Sequence, residues 1–213
     1  MHLAQQDINN LTIKGMNTNM NKRHLFIITG PSGSGKNTLL KAIMEAMPDF
    51  LRIATVTTRP PRPGEVDGVD HFFKSTDEFE RLILADEFVE WQPMFGYMYG
   101  TLKDTIRSVV DVDTNSFMEI DILGALSIKK MYPDKVVVFF VQPPSLDVLE
   151  ERIRGRGHRI SEEELANRLN RAKMELSYAE QCDHVIINDK LDLATTDLTS
   201  IVQSYLGEKI YDK

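Results

Sequence analysis

Two spacings of apolar residues take turns along the chain, one of continuous short runs and one of helical period. HLFIITG (24–30) is an unbroken apolar, β-rich run ending in glycine, the pattern of a strand buried on both faces. LLKAIMEAM (39–47) follows, with Leu39, Ile43 and Met47 on one helical face and Pro48 closing the helix. LRIATVTT (51–58) predicts a second strand, RPPRPGEVDGVD (59–70) a turn-rich loop, and the stretch around Asp77–Leu84 a helix. EFVEWQPMFGYMYGT (87–101) is aromatic and glycine-broken, which predicts a strand and a loop. NSFMEIDI (115–122) and KVVVFFV (135–141) are further buried strands, the second stopped by Pro143 and Pro144. SLDVLEERIRGRG opens a helix that ends at Gly155 or Gly157. SEEE (161–164) has the form of a capping box, in which Ser161 accepts from the Glu164 amide and Glu164 reaches back. The helix it opens runs to about Ala179, HVIIND (184–189) is a last strand, and Leu198, Ile201, Val202 and Tyr205 mark a terminal helix. Strands alternating with helices predict an α/β fold with a parallel sheet covered on both faces.

Composition narrows what such a domain does. The 213 residues suffice for one α/β domain with small insertions, and 42% hydrophobic with 27% charged is ordinary for a globular chain. A formal net charge of −7 argues against polymeric nucleic acid as a partner. No apolar run approaches the roughly 18 residues of a membrane span. The single cysteine, Cys182, has no partner for an intramolecular disulfide, which suits a reducing compartment and a cytoplasmic location; it reads as a small buried hydrophobe. Residues 1–22 are polar and Asn/Gln-rich, without the apolar core of a signal peptide, and read as a disordered tail. Met16 and Met20 lie just before the first strand and are candidates for an internal translation start.

The chemistry begins at GPSGSGKNT, residues 30–38. Gly30, Gly33 and Gly35 let backbone amides approach an oxyanion, with Pro31, Ser32 and Ser34 between them. Lys36 adds a positive charge and the following helix its N-terminal partial charge. A strand before this loop and a helix after it are the context that a phosphate-gripping loop requires. Such a loop usually continues with Ser or Thr, whose hydroxyl ligates magnesium. Here Asn37 stands instead, and its amide oxygen is a candidate ligand; Thr38 points elsewhere on the helix. The loop 59–70 carries Arg59 and Arg62 with prolines between them, which suits either a phosphate monoester or a solvated surface.

GPSGSGK, TTRPPRPGEVDGVDHFF, FVEWQPMFGYMYGT, VQPPSLDVLEERIRGRG and VIIND stand in the order and spacing of guanylate kinases, and the chain resembles that family over residues 23–207. The resemblance implies a P-loop core (23–53, 102–147 and 175–207), an inserted GMP-binding part (54–101) and a lid (about 148–174). It implies MgATP-dependent, reversible phosphorylation of GMP to GDP by a monomer or homodimer. Since none of these residues must touch the ribose 2′ position, dGMP is a second expected acceptor. Arg59, Arg62 and Tyr99 would hold the GMP phosphate, and Glu90, Thr55 and Thr101 would read guanine. One carboxylate can accept from guanine N1–H and N2–H₂ together; adenine lacks that donor pair, and a missing required bond discriminates on the order of 10⁴-fold.

Three further positions depart from the family pattern. His71 stands for a usual Tyr at the GMP phosphate, and if protonated would add charge. Thr55 replaces a Ser. Glu119, expected on the GMP side, replaces the first Asp of an Asp-x-Asp, whose second member is kept as Asp121. Asp121 would orient magnesium through water or, in a plainer role, cap a neighbouring loop. In RIRGRGHRISEEELANRLNRA, arginines 152, 154, 156, 159, 168 and 171 are joined by His158 as a seventh basic group. Such charges often only solvate a helix; the resemblance implies instead that Arg156 and Arg168 are catalytic lid arginines with Lys36 and Arg59, and Arg152 a weaker candidate. The rival readings are a guanylate-kinase-like peptide-binding module, which typically loses the phosphate loop kept here, and a P-loop kinase of a phosphorylated sugar, which has no need of Arg59, Arg62, Glu90 and Tyr99 together.

Overall fold

The computed structural model describes residues 24–94, 96–111, 114–155 and 160–207. The expected tail at 1–22 and the expected lid arginine Arg156, with His158 and Arg159, lie outside them.

β1 (Leu25–Thr29) is buried along its whole length, and its alternate side chains feed two cores. Phe26 and Ile28 join one cluster with Phe117, Val137, Phe139 and Val141. Leu25 and Ile27 join the other with Met118, Val136 and Val138. A strand apolar on both faces needs cover on both, which is the condition of a central parallel strand. The first cluster is covered by α1 (Lys36–Ala46) and α7 (Leu191–Leu206), the second by α3 (Lys103–Asp111) and α4 (Ile122–Met131). The strands β2 (Leu51–Ile53), β7 (Ser116–Glu119), β8 (Val136–Gln142) and β9 (His184–Ile187) complete the sheet in the order β2-β7-β1-β8-β9. All its pairings are parallel. β1 therefore lies where connections depart to both sides, and its carboxyl end is where such sheets bind ligands.

The run 51–58 is not one strand. After Ile53 the chain leaves the parallel sheet, and β3 (Thr55–Thr57) enters a second one with β4 (His71–Phe73), β5 (Phe88–Met94) and β6 (Tyr97–Leu102), in the order β4-β3-β6-β5. α2 (Thr76–Leu84) packs on it through Phe79, which stacks on Phe88 at 4.5 Å between ring centroids. The run 115–122 is also divided. β7 stops at Glu119 because Asp121 begins α4, accepting from the Leu123 and Gly124 amides at 2.9 and 3.3 Å.

α5 (Leu146–Arg154) and α6 (Glu162–Leu176) share a small core of Leu149, Ile153, Leu165 and Ala172. The box expected at Ser161 is half made: Ser161 accepts from the Glu164 amide, but Arg168 takes the Glu164 carboxylate at 2.6 Å. A charged donor one turn along outcompetes a neutral amide. The complete box is at Ser75 and Glu78. α6 ends at Leu176, and a 3₁₀ turn (Ala179–Gln181) leads to β9.

Candidate functional site

A cleft of about 460 Å³ opens beyond the carboxyl ends of β1 and β7 and runs between the two sheets. One end is the phosphate loop. Gly35 caps α1 in the left-handed region, at φ 91°. A side chain there would run into the amide of Asn188, which donates to the Ser34 carbonyl at 2.8 Å. Gly33 has φ 97°, and a Cβ on it would stand 2.8 Å from Leu149 Cδ1. The loop is therefore locked from below by β9's exit and by α5. Lys36 folds back over it, donating to the carbonyls of Gly30 and Pro31 at 2.7 and 3.1 Å. Ser32, Asn37 and Thr38 line the cleft with the three glycines, whereas Pro31 and Ser34 do not, Ser34 being fully buried.

Glu119, expected on the acceptor side, belongs to this end. Its carboxylate lies 4.0 Å from Lys36 Nζ. Asn37, with its amide nitrogen turned toward Glu119, donates to both carboxylate oxygens, 3.1 Å for Oε1. That leaves the amide oxygen of this exposed side chain as the candidate ligand atom. Asp121 also lines the cleft, with Oδ1 committed to capping α4. The donor set here is all oxygen, which fits a hard cation. Among the described residues no three His, Cys, Asp or Glu gather to hold a metal, so most of such an ion's shell would come from phosphate and water.

The other end is built on the second sheet. Glu90 on β5 and Thr101 on β6 are cross-strand partners, and the Thr101 hydroxyl donates to Glu90 Oε1 at 2.6 Å. Glu90 is pushed up to about 7, chiefly by burial, with the Thr101 bond opposing and the Asp121 charge adding to the rise. Glu90 lines the cleft and Thr101 is the buried residue behind it. Thr55 is buried and bonds His71 Nδ1 at 2.8 Å. Burial and the nearby Arg59 charge hold His71 down at about 4, so it is neutral at pH 7; the added charge considered for it is not there.

Arg59 departs from the expected free fork. Nη1 donates to Glu65 Oε2 at 2.9 Å and to the Pro60 carbonyl at 2.7 Å, and Nη2 donates to Glu65 Oε1 at 3.0 Å. Its guanidinium also lies over the Phe73 ring, 5.7 Å from the centroid. Glu65 is held below the usual carboxylate range; burial works against this, but the bonds from the Arg59 guanidinium and the Arg62 backbone amide prevail. Arg59 is thus a held, oriented cation that also bonds Tyr99, with its buried Nε left without a partner among the described residues. Arg62 has an exposed side chain that makes no hydrogen bond or ion pair among the described residues, and it lines the cleft with Tyr99.

α6 closes the cleft from above. Arg168 lines it while paired to Glu164. Arg171 and Glu175, to which the sequence reading gave no role, line it too. Arg171 Nε donates to the buried Glu175 at 2.7 Å, and Nη2 reaches Gln92 on β5 at 3.3 Å. Their i,i+4 spacing was the only available signal. Arg152 instead donates to the Asn188 and Asp189 carbonyls at 3.0 and 3.4 Å, behind the loop.

Residues 22–205 match a family model described as "Guanylate kinase". A guanylate kinase of Caldanaerobacter subterraneus is 42% identical over 178 residues, 84% of this chain and 85% of that one. One from Gloeobacter violaceus is 42% identical over 189 residues, 89% of each chain. Among solved structures, a guanylate kinase from Anaplasma phagocytophilum is similar with a TM-score of 0.68 and 28% identity, covering 86% of both chains. A shikimate kinase from Bacteroides thetaiotaomicron, at TM-score 0.52 and 15% identity over 84% of this chain and 98% of that one, shares the fold.

Proposed function

The chain belongs to the guanylate kinase family, phosphorylating GMP to GDP with ATP as donor, and from that premise we propose how its residues divide the reaction. The observation that carries the proposal is one cleft with Lys36 and the glycine loop at one end and the Glu90–Thr101 pair at the other.

ATP lies with its phosphates in the loop, against backbone amides and Lys36. Lys36 now rests on two backbone carbonyls with the Glu119 carboxylate 4.0 Å away, and an anionic phosphate displaces the carbonyls. Asn37, Glu119 and Asp121 would hold Mg²⁺ beside those phosphates, directly or through water. Bound there, the ion neutralises charge on the phosphates. GMP enters the other end. Ionised Glu90 accepts from guanine N1–H and N2–H₂, and Thr55 lines the same cleft. Arg62, Tyr99 and the Arg59 guanidinium take the GMP phosphate, with neutral His71 as a hydrogen-bond partner. dGMP fits the same contacts.

A GMP phosphate oxygen attacks the γ-phosphorus in line; the bond to the β–γ bridging oxygen breaks and ADP leaves. The protein supplies positioning and charge, not a nucleophile. Arg168 swings from Glu164 to the transferring group, with Arg156 as its partner in the lid, and closure of 148–174 over the cleft keeps water from accepting the phosphoryl group. Residues 54–101 form the GMP-binding part on the core. Cytoplasmic monomers or homodimers suit this reading; among the described residues no helix is long and apolar enough to cross a membrane.

Calorimetry tests the division. Lys36→Ala should abolish turnover and weaken a non-hydrolysable ATP analogue while leaving GMP binding intact, and Glu90→Gln should do the converse to binding. A folded variant of either kind that loses both ligands equally would contradict it.

A further inference from the structure

We infer that Gly124 is a positioning residue for base recognition: its missing side chain leaves the space in which the Glu90 carboxylate is held. The inference rests on the proposed guanine-reading role of Glu90.

Gly124 sits in the first turn of α4, buried, in a helix whose Ile122, Ala125 and Ile128 are core residues. It is not among the positive-φ glycines, so its backbone does not require glycine. An interior helical site of that kind favours alanine. The reason for glycine lies across the groove. A Cβ at 124 would stand 2.8 Å from Glu90 Cδ and 3.0 Å from its Cγ and Oε2. Carbon atoms settle at about 3.5–4.0 Å, so the carboxylate would have to retreat by roughly 1 Å.

Neither partner is free to give way. Glu90 Oε1 is fixed by the 2.6 Å bond from Thr101, a residue only 1% exposed. Gly124 is fixed by the hydrogen bond its backbone N–H donates to Asp121 Oδ1 and by the buried helix behind it. Gly100 gives the contrast: the atoms nearest a Cβ there belong to Phe88 and Trp91, which is packing. At Gly124 it would meet the carboxylate that proposes to choose the base.

The test uses the full-length protein and four variants: Gly124→Ala, Glu90→Asp, the double variant, and Glu90→Gln. Gly124→Ala should raise the KM for GMP by about 10- to 100-fold, the cost of roughly 1 Å misplacement, with the ATP KM unchanged. It should also erode the preference for GMP over IMP, which lacks the 2-amino group. In Glu90→Asp the shorter side chain withdraws the carboxylate from position 124, so adding Gly124→Ala there should cost nothing more. Equal effects of Gly124→Ala in both backgrounds, a wild-type GMP KM in Gly124→Ala, or parallel rises in both KM values would each overturn the inference. Glu90→Gln separates the two levels. If it keeps a wild-type GMP KM, the base-reading role fails and the positioning role with it. If it loses GMP while Gly124→Ala does not, only the positioning role fails.

Discussion

Glu90→Gln removes one ionisable group from the end of the cleft proposed to read the base and leaves its shape. In the unliganded protein burial pushes Glu90 up to about 7, against an ordinary value of 4.5. The folded state therefore binds this proton more tightly than the unfolded chain does. The associated stabilisation is complete below about 4.5 and is lost as the pH rises through about 7. The change across that window is about 3 kcal/mol, less whatever residual solvent contact screens. A glutamine has no such loss. At pH 8 the variant's Tm should exceed the wild type's by roughly 5–10 °C, since 1 kcal/mol corresponds to about 2–4 °C for a domain of this size. At pH 5 the two should nearly coincide. Differential scanning fluorimetry across pH 5–8 without nucleotide reads the difference curve directly. Saturating GMP should reverse its sign at pH 8, because the ligand rewards the charged carboxylate that glutamine lacks. In wild type, kcat/KM for GMP should fall about tenfold per pH unit well below 7; the slope that survives in Glu90→Gln belongs to the substrate phosphate. A Tm difference that is flat over pH 5–8, or larger at pH 5, would refute the reasoning.

Other perturbations address the remaining contacts. Asn37→Ser replaces the amide held against Glu119 by a hydroxyl and should lower the Mg²⁺ concentration for half-maximal activity several-fold with the GMP KM unchanged, read by metal titration at fixed ATP. Arg59→Lys cannot make the paired bonds to Glu65; losing a charge-assisted bond costs about 1.5–3 kcal/mol, so the GMP KM should rise roughly 10- to 100-fold in steady-state kinetics while the ATP KM holds. His71, held at about 4, should show no imidazole titration by NMR between pH 5 and 8, and the stability it contributes as a neutral ring, present above about 6.5, should fade as the pH falls through about 4.

Strong periodicity made β1, β8 and α1 legible, since a strand buried on both faces and a helix with Leu39, Ile43 and Met47 on one side each leave one spacing. Other elements depend on partners that no local pattern names. Nothing in LRIATVTT says that its halves pair with different sheets. In NSFMEIDILGALSIKKM the apolar run continues unbroken from strand into helix, and only the cap bond of Asp121 divides them. α3 carries Ile106, Val109 and Val110, β-branched residues that favour a strand until burial against β1's underside decides for a helix. The phosphate loop was legible from spacing because its glycines serve the local backbone. Glu90 looked like a surface carboxylate apart from the family resemblance, because its burial comes from Thr101, 11 residues on, and Gly124, a helix away. Glu65 stood inside the quoted arginine motif, but its grip on Arg59 is a tertiary fact.

The central claim is an active enzyme with one unusual residue, Asn37, in its phosphate loop. The direct measurement is ADP release from MgATP by the purified protein with GMP, AMP, IMP or no acceptor. The account predicts fast turnover with GMP, far slower with IMP, and background rates with AMP and with water alone. Equal turnover of AMP and GMP, or none with GMP while folded protein still binds it, would contradict it.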